Sequence, residues 1–161
     1  MCNKAAQLPS KTNKLKQMKL KVLTAVAATV LLSAFTSVTS EKDIIGTWKI
    51  DDTNVNNVVK KVIAKAVEAN PGAEDQIEAQ KDMIVSMVQG IRLNIKADHT
   101  YETVSPQGSK AGKWALTGAG KTMEFTKDDG TIRKDVVLES TPTRLKMING
   151  DLADTVLYVH P

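Results

Sequence analysis

A mainly β fold with some α content is predicted, an antiparallel up-and-down barrel of about eight strands with a two-helix insertion between strands 1 and 2. Three observations predict it. Apolar and polar residues alternate in short segments from Ile91 to the C-terminus, helical periodicity interrupts the strands only once, near the front, and the later breaks are turns too short for a crossover helix. Strands joined in this way pair antiparallel. An open sheet of that size would expose two edges, so closure is the economical solution.

The first strand is expected over Ile44 to Ile50, where Ile44, Ile45, Trp48 and Ile50 stand beside Thr47 and Lys49, and Asp51-Asp52 end it. Thr53 and Asn54 are N-cap candidates for a helix whose apolar positions, Val55, Val58, Val59, Val62, Ile63, Ala66 and Val67, follow i, i+3, i+4, i+7 spacing. Asn70-Pro71-Gly72 stops it. A second helix is predicted from about Glu74 to Gln89, with Ile77, Ile84, Met87, Val88 and Met83 on its apolar face and Gly90 as its stop. From Ile91 the period becomes two, and Leu93, Ile95 and Ala97 alternate with Arg92, Asn94 and Lys96. Further strands are read at Thr100–Val104, Lys113–Thr117, Thr122–Thr126, Ile132–Glu139, Arg144–Ile148 and Thr155–His160, with Asp129-Gly130 the strongest hairpin signal. Packing the helices over one mouth of the barrel would bury their valine stripe.

The first 40 residues stand apart from this pattern. Lys19 and Lys21 precede an apolar run from Val22 to Phe35, and Val38 and Ser40 occupy the −3 and −1 positions of a cut after Ser40. This order is that of a signal peptide over 18–40, and the run is too short for about 30 Å of hydrocarbon. Met18 begins a leader of ordinary length, so residues 1–17 read as an N-terminal extension upstream of the true start. The expected location is secreted or periplasmic, without stable membrane insertion after cleavage. From Glu41 onward 16 basic residues face 18 acidic ones, so the net charge of +4 belongs to the leader and gives no case for nucleic-acid binding. Cys2 is the only cysteine, so the remaining 121 residues form no disulfide.

Gly46-Thr47-Trp48 resembles the Gly-x-Trp signature of lipocalins and the related fatty-acid-binding proteins, and the helix pair after strand 1 resembles the lid of the latter. The segments Leu93–Tyr101, Gly112–Leu116 and Thr143–Met147 look like strands of bacterial secreted lipocalin-like domains. The resemblance covers 41–161. It implies a calycin-type barrel in which Trp48 closes one end, Gly46 permits a close chain approach, and a small, largely apolar molecule occupies the interior. Lipocalins usually stack an Arg from near the barrel's end on this Trp, whereas Thr155–His160 contains none, leaving Arg144 or Arg133 for that place. The paired cationic and tyrosine residues with which fatty-acid-binding proteins hold a carboxylate are not matched.

If the barrel encloses a cavity, Leu93, Ile95, Tyr101, Trp114, Met123 and Phe125 are its expected lining, with Met83 and Met87 on the lid as adaptable thioethers. An eight-stranded barrel is just wide enough to be filled by its own side chains or to hold one small ligand, and both outcomes remain open. No metal site or cofactor is expected: His99 and His160 are the only histidines, with no second ligand at metal spacing, and Asp128-Asp129-Gly130 lacks the distal ligands of a calcium loop. No nucleophile motif or phosphate-binding loop occurs, which argues against an enzyme. The expectation is a non-catalytic binding protein for a small hydrophobic molecule, with no protein partner specified. The alternative is a solid-core interaction module, an inhibitor or envelope accessory protein presenting loops such as Ser105 to Gly112.

Overall fold

Alternation along each strand sends one set of side chains into a shared interior: Leu93 and Ile95, Met123 and Phe125, Leu145 and Met147 are all buried. The computed structural model describes residues 39–161, so the expected extension at 1–17 and leader at 18–40 lie outside the described residues apart from Thr39 and Ser40. Eight strands, β1 (Gly46–Ile50), β2 (Arg92–Ile95), β3 (Thr100–Ser105), β4 (Gly108–Thr117), β5 (Thr122–Lys127), β6 (Ile132–Thr141), β7 (Arg144–Asn149) and β8 (Asp154–Val159), pair antiparallel in sequence order and close as a barrel. The predicted fold class is the observed one. The helices are α1 (Glu41–Ile44), α2 (Asp52–Ala69), α3 (Glu74–Ala79) and α4 (Lys81–Gly90), the last three lying between β1 and β2.

Several boundaries differ from the sequence reading. Ile44 and Ile45 precede the first strand, because residues 41–44 wind into a helical turn that buries Ile44 and offers its carbonyl to the Trp48 indole N–H at 2.8 Å. The cap of α2 is Asp51, whose carboxylate accepts the Thr53 amide at 2.8 Å, in place of Thr53 or Asn54. The expected second helix is two helices, broken at Gln80, which has φ −95° and ψ 8°. Nothing in the local sequence marks that break, since neither Gly nor Pro stands there. The break separates α3, which has no buried residue, from α4, whose Val88 is buried and whose Ile84 and Val85 pack on the core. The supposed loop at Pro106–Ser109 shrinks to a turn, with Gly108 already paired to Ser105 in β4.

The barrel has two unlike ends. At the floor lie α1, the C-terminus and the β2–β3, β4–β5 and β6–β7 turns; at the mouth lie the helices and the β3–β4, β5–β6 and β7–β8 turns. On the floor, the His160 ring stacks on Trp48 at 4.1 Å between centroids and 23° between planes, and its Nδ1 lies 2.8 Å from the Thr47 carbonyl. His160 therefore fills the place for which Arg144 or Arg133 were the sequence candidates. It does so while remaining exposed. Gly46 makes room for it, with φ +151° and a would-be Cβ only 3.0 Å from His160 Cε1.

Closure is shortest where β1 meets β8, with two paired positions, Lys49 with Val159 and Ile50 with Tyr158. Two further bonds extend this seam: the Asp51 amide donates to the Leu157 carbonyl at 2.9 Å, and the Leu157 amide donates to Asn54 Oδ1 at 3.0 Å. Replacing Asn54 by Ala leaves that part-buried amide without its acceptor. The expected loss is about 1–3 kcal/mol of stability, read from urea unfolding.

Candidate functional site

At the mouth, α2 and α4 cover one side, and their buried Val55, Val58, Val59 and Val88 face the barrel. The helix cover is held at both ends. Asn54 ties the start of α2 to β8, while Gly90 at the end of α4 lies so close to Pro106 in the β3–β4 turn that an added Cβ would approach its ring at 2.8 Å. The Lys61 ammonium also pairs with Asp154 of β8 at 3.3 Å.

Beneath the helices lies a cavity of about 240 Å³, walled by apolar side chains such as Val58, Val62, Met87, Leu93, Leu152 and Val156, with Arg133, Asn149 and Tyr158 as polar members. Beside it, between the β3–β4, β5–β6 and β7–β8 turns, a cleft of about 700 Å³ opens to solvent among Lys110, Lys127, Asp128 and Asp129. Thr103, Arg133 and Asp151 line both spaces, so these three residues stand at the junction.

Arg133 reaches this junction because Arg133, Asp135 and Val137 are the inward-facing residues of β6, opposite Phe125 and Met123 of β5. Its guanidinium carbon sits 4.6 Å from the Phe125 ring centroid. Its Nε lies 3.0 Å from Asp135 Oδ1, and its Nη1 lies 3.8 Å from Asp151 Oδ2. Asp135 is fully buried, and Oδ1 accepts the Gly150 amide at 2.9 Å, whereas neither Oδ2 nor Arg133 Nε has a hydrogen-bond partner, so Arg133 and Asp135 meet as an ion contact. Burial pushes the Asp135 carboxyl above its usual range, opposed by Arg133 and the Gly150 amide. Tyr158 is pushed up to about 12, again mainly by burial. Asn149 Oδ1 accepts the Asp151 and Leu152 amides at 3.0 and 2.9 Å, which shapes the β7–β8 turn.

The structure separates the residues singled out from the sequence. Met87 and Leu93 line the cavity beneath the helices, and Tyr101 lines the open cleft. Ile95, Trp114, Met123 and Phe125 are buried in the packed core, with Trp114 donating its indole N–H to the Lys96 carbonyl at 2.9 Å and Phe125 meeting the Tyr101 ring edge-on at 5.0 Å. Met83 points to solvent with 60% of its surface exposed. His99, in the β2–β3 turn, is exposed and lies against Trp114 at 5.0 Å. Arg133, Asp135, Asn149, Asp151 and Tyr158 were not singled out as site residues. The local signal pointed elsewhere: a two-residue Asp129-Gly130 turn would pair Phe125 with Lys134, whereas the connection through Asp128, Asp129 and Gly130 pairs Phe125 with Arg133, and directly paired residues share a face of the sheet.

No family model matches the chain, and no curated protein matches it. Among solved structures, the chain is similar to the crystal structure of a DUF4847 family protein from Bacteroides vulgatus, with a TM-score of 0.45 and 14% identity over 72% of this chain and 92% of that one.

Tyr158 supplies a pH signature. The unfolded chain releases its tyrosine protons near pH 10 whereas folded Tyr158 holds its proton to about 12, so stability present below pH 10 is lost as the pH rises between these values. Burial raises Tyr101 in the same sense, so comparison with Tyr158→Phe isolates the contribution of Tyr158. Urea unfolding at pH 8 and pH 11.5 is expected to show about 2 kcal/mol less alkaline loss in that variant.

Proposed function

We propose that this protein is a non-catalytic binding protein that takes a small, largely apolar molecule between its helical cover and the barrel, in the manner of a lipocalin-like domain. The observation that carries this reading is the cavity of about 240 Å³ beneath α2 and α4, apolar over most of its wall and open to the mouth cleft past Arg133. Apolar burial supplies affinity there, and a few polar groups orient the guest. Met87, on α4, can follow different ligand shapes because its thioether chain is flexible. Asp135 supports the non-catalytic reading, since its carboxylate is engaged with Arg133 and the Gly150 amide.

A solid-core interaction module is the second reading, favoured by the packed part of the barrel interior, where Trp48, Met123, Phe125 and Met147 leave no exposed surface. One experiment separates them. Native mass spectrometry of the purified protein, with thermal unfolding against a lipid panel, is expected to show a co-purifying small molecule or a stabilising ligand. A protein that is empty and unresponsive across the panel favours the module.

The reading includes export. The sequence from Lys19 to Ser40 supports a cleaved leader, and intact-mass measurement of the protein recovered from a secreting host is expected to give a chain beginning at Glu41.

A further inference from the structure

The polar junction at the mouth restricts the chemistry of a guest's head group. Resting on the binding reading above, we propose that the site selects an uncharged amphiphile, whose head accepts a hydrogen bond from Arg133, over the carboxylate of the same chain length, and that Asp151 enforces this choice. Arg133 alone, at the inner edge of the cleft and over the apolar cavity, would be a receptor for an anion. Its charge is already matched. Asp135 is fixed 3.0 Å from Nε and cannot leave, because it is fully buried and holds the Gly150 amide. Asp151 adds a second carboxylate 3.8 Å from Nη1, and it is the nearest acid that is also exposed.

Around the cleft the same balance continues, with Lys110, Lys127 and Arg133 set against Asp128, Asp129, Asp151 and the buried Asp135. Lys127 does not tip it, since its ammonium is itself 3.9 Å from Asp151. A guest carboxylate at Arg133 would thus join two carboxylates around one guanidinium, and like charges at such separations oppose one another strongly where water is partly excluded. An alcohol, ester or amide oxygen accepts a hydrogen bond from a guanidinium N–H directed at the junction while both acids stay in place. The buried Tyr158 hydroxyl, which keeps its proton up to about pH 12, leaves that wall of the cavity neutral.

The space beneath the helices equals about eight water volumes, which suits a medium-chain tail. The test is a matched pair, 1-decanol and decanoic acid, titrated at pH 7.5 and low salt into the mature protein and into Asp151→Asn by displacement of a fluorescent apolar probe. The alcohol is expected to bind about tenfold more tightly than the acid, and Asp151→Asn is expected to strengthen the acid by about tenfold while leaving the alcohol nearly unchanged. Asp151 is more than half exposed, so this variant keeps the fold, which circular dichroism verifies. Equal or tighter binding of the acid by the unaltered protein overturns the inference and leaves the binding reading standing. A preference for alcohol that Asp151→Asn does not change overturns the role of Asp151. Failure of both ligands and of the probe overturns the inference together with the binding reading.

Discussion

Closure between β1 and β8 is the constraint on which the remaining structure depends. Every other neighbouring pair of strands is joined by a two- to four-residue turn or, between β1 and β2, by the helical insertion, but the first and last strands meet only through space. Their ladder has two paired positions, fewer than any other in the barrel. Side chains complete what the ladder leaves short. At the mouth, Asn54 accepts the Leu157 amide; at the floor, His160 stacks on Trp48 and approaches the Thr47 carbonyl. The backbone groups of a barrel seam must be satisfied as fully as those of any sheet, since each one buried without a partner costs about 1–3 kcal/mol.

This seam also fixes the helical cover. Because α2 starts directly after β1 and its third residue, Asn54, bonds to β8, the cover cannot hinge outward at that end without loosening the barrel wall. The other end is held where Gly90 packs against Pro106. The open side of this end is therefore that of the three turns, where the cleft lies among Lys110, Asp128 and Asp151. The cover is tied down at both ends, and the turns leave the mouth open between them.

The barrel and its helical insertion were legible in the sequence because their signals are local. Period-two alternation, the Asp129-Gly130 turn and the valine stripe each report on a few adjacent residues, and each coincides with an observed element. The break at Gln80 was not legible, since no Gly or Pro marks it and it lies between two helices that bury different amounts of surface. The partner of Trp48 was missed for another reason. The expected cation was an arginine, but an aromatic ring with a hydrogen-bonding nitrogen meets the same face, and His160 follows β8 directly, so the chain brings it there. Of the site, the apolar wall at Met87 and Leu93 could be read from alternation, whereas the polar junction depends on strand register.

Strand β6 shows why register governs that junction. By hydrophobicity alone Ile132, Val136 and Leu138 would be the inward set, yet they are 52%, 43% and 50% exposed while Arg133 and Asp135 face the interior. The two-residue period makes this an all-or-none choice: a shift of one residue would turn the ion pair outward and the three apolar residues inward. Such a shift would also unseat Arg133 from Phe125 and take Asp135 from the Gly150 amide. A buried ion pair gives little net stability over an apolar pair of similar volume, because desolvation offsets most of its attraction. Its contribution here is positional. Asp135 holds the β7–β8 turn against β6, Asn149 shapes that turn through the amides of Asp151 and Leu152, and the turn in turn sets Asp151 beside Arg133 at the boundary between cavity and cleft.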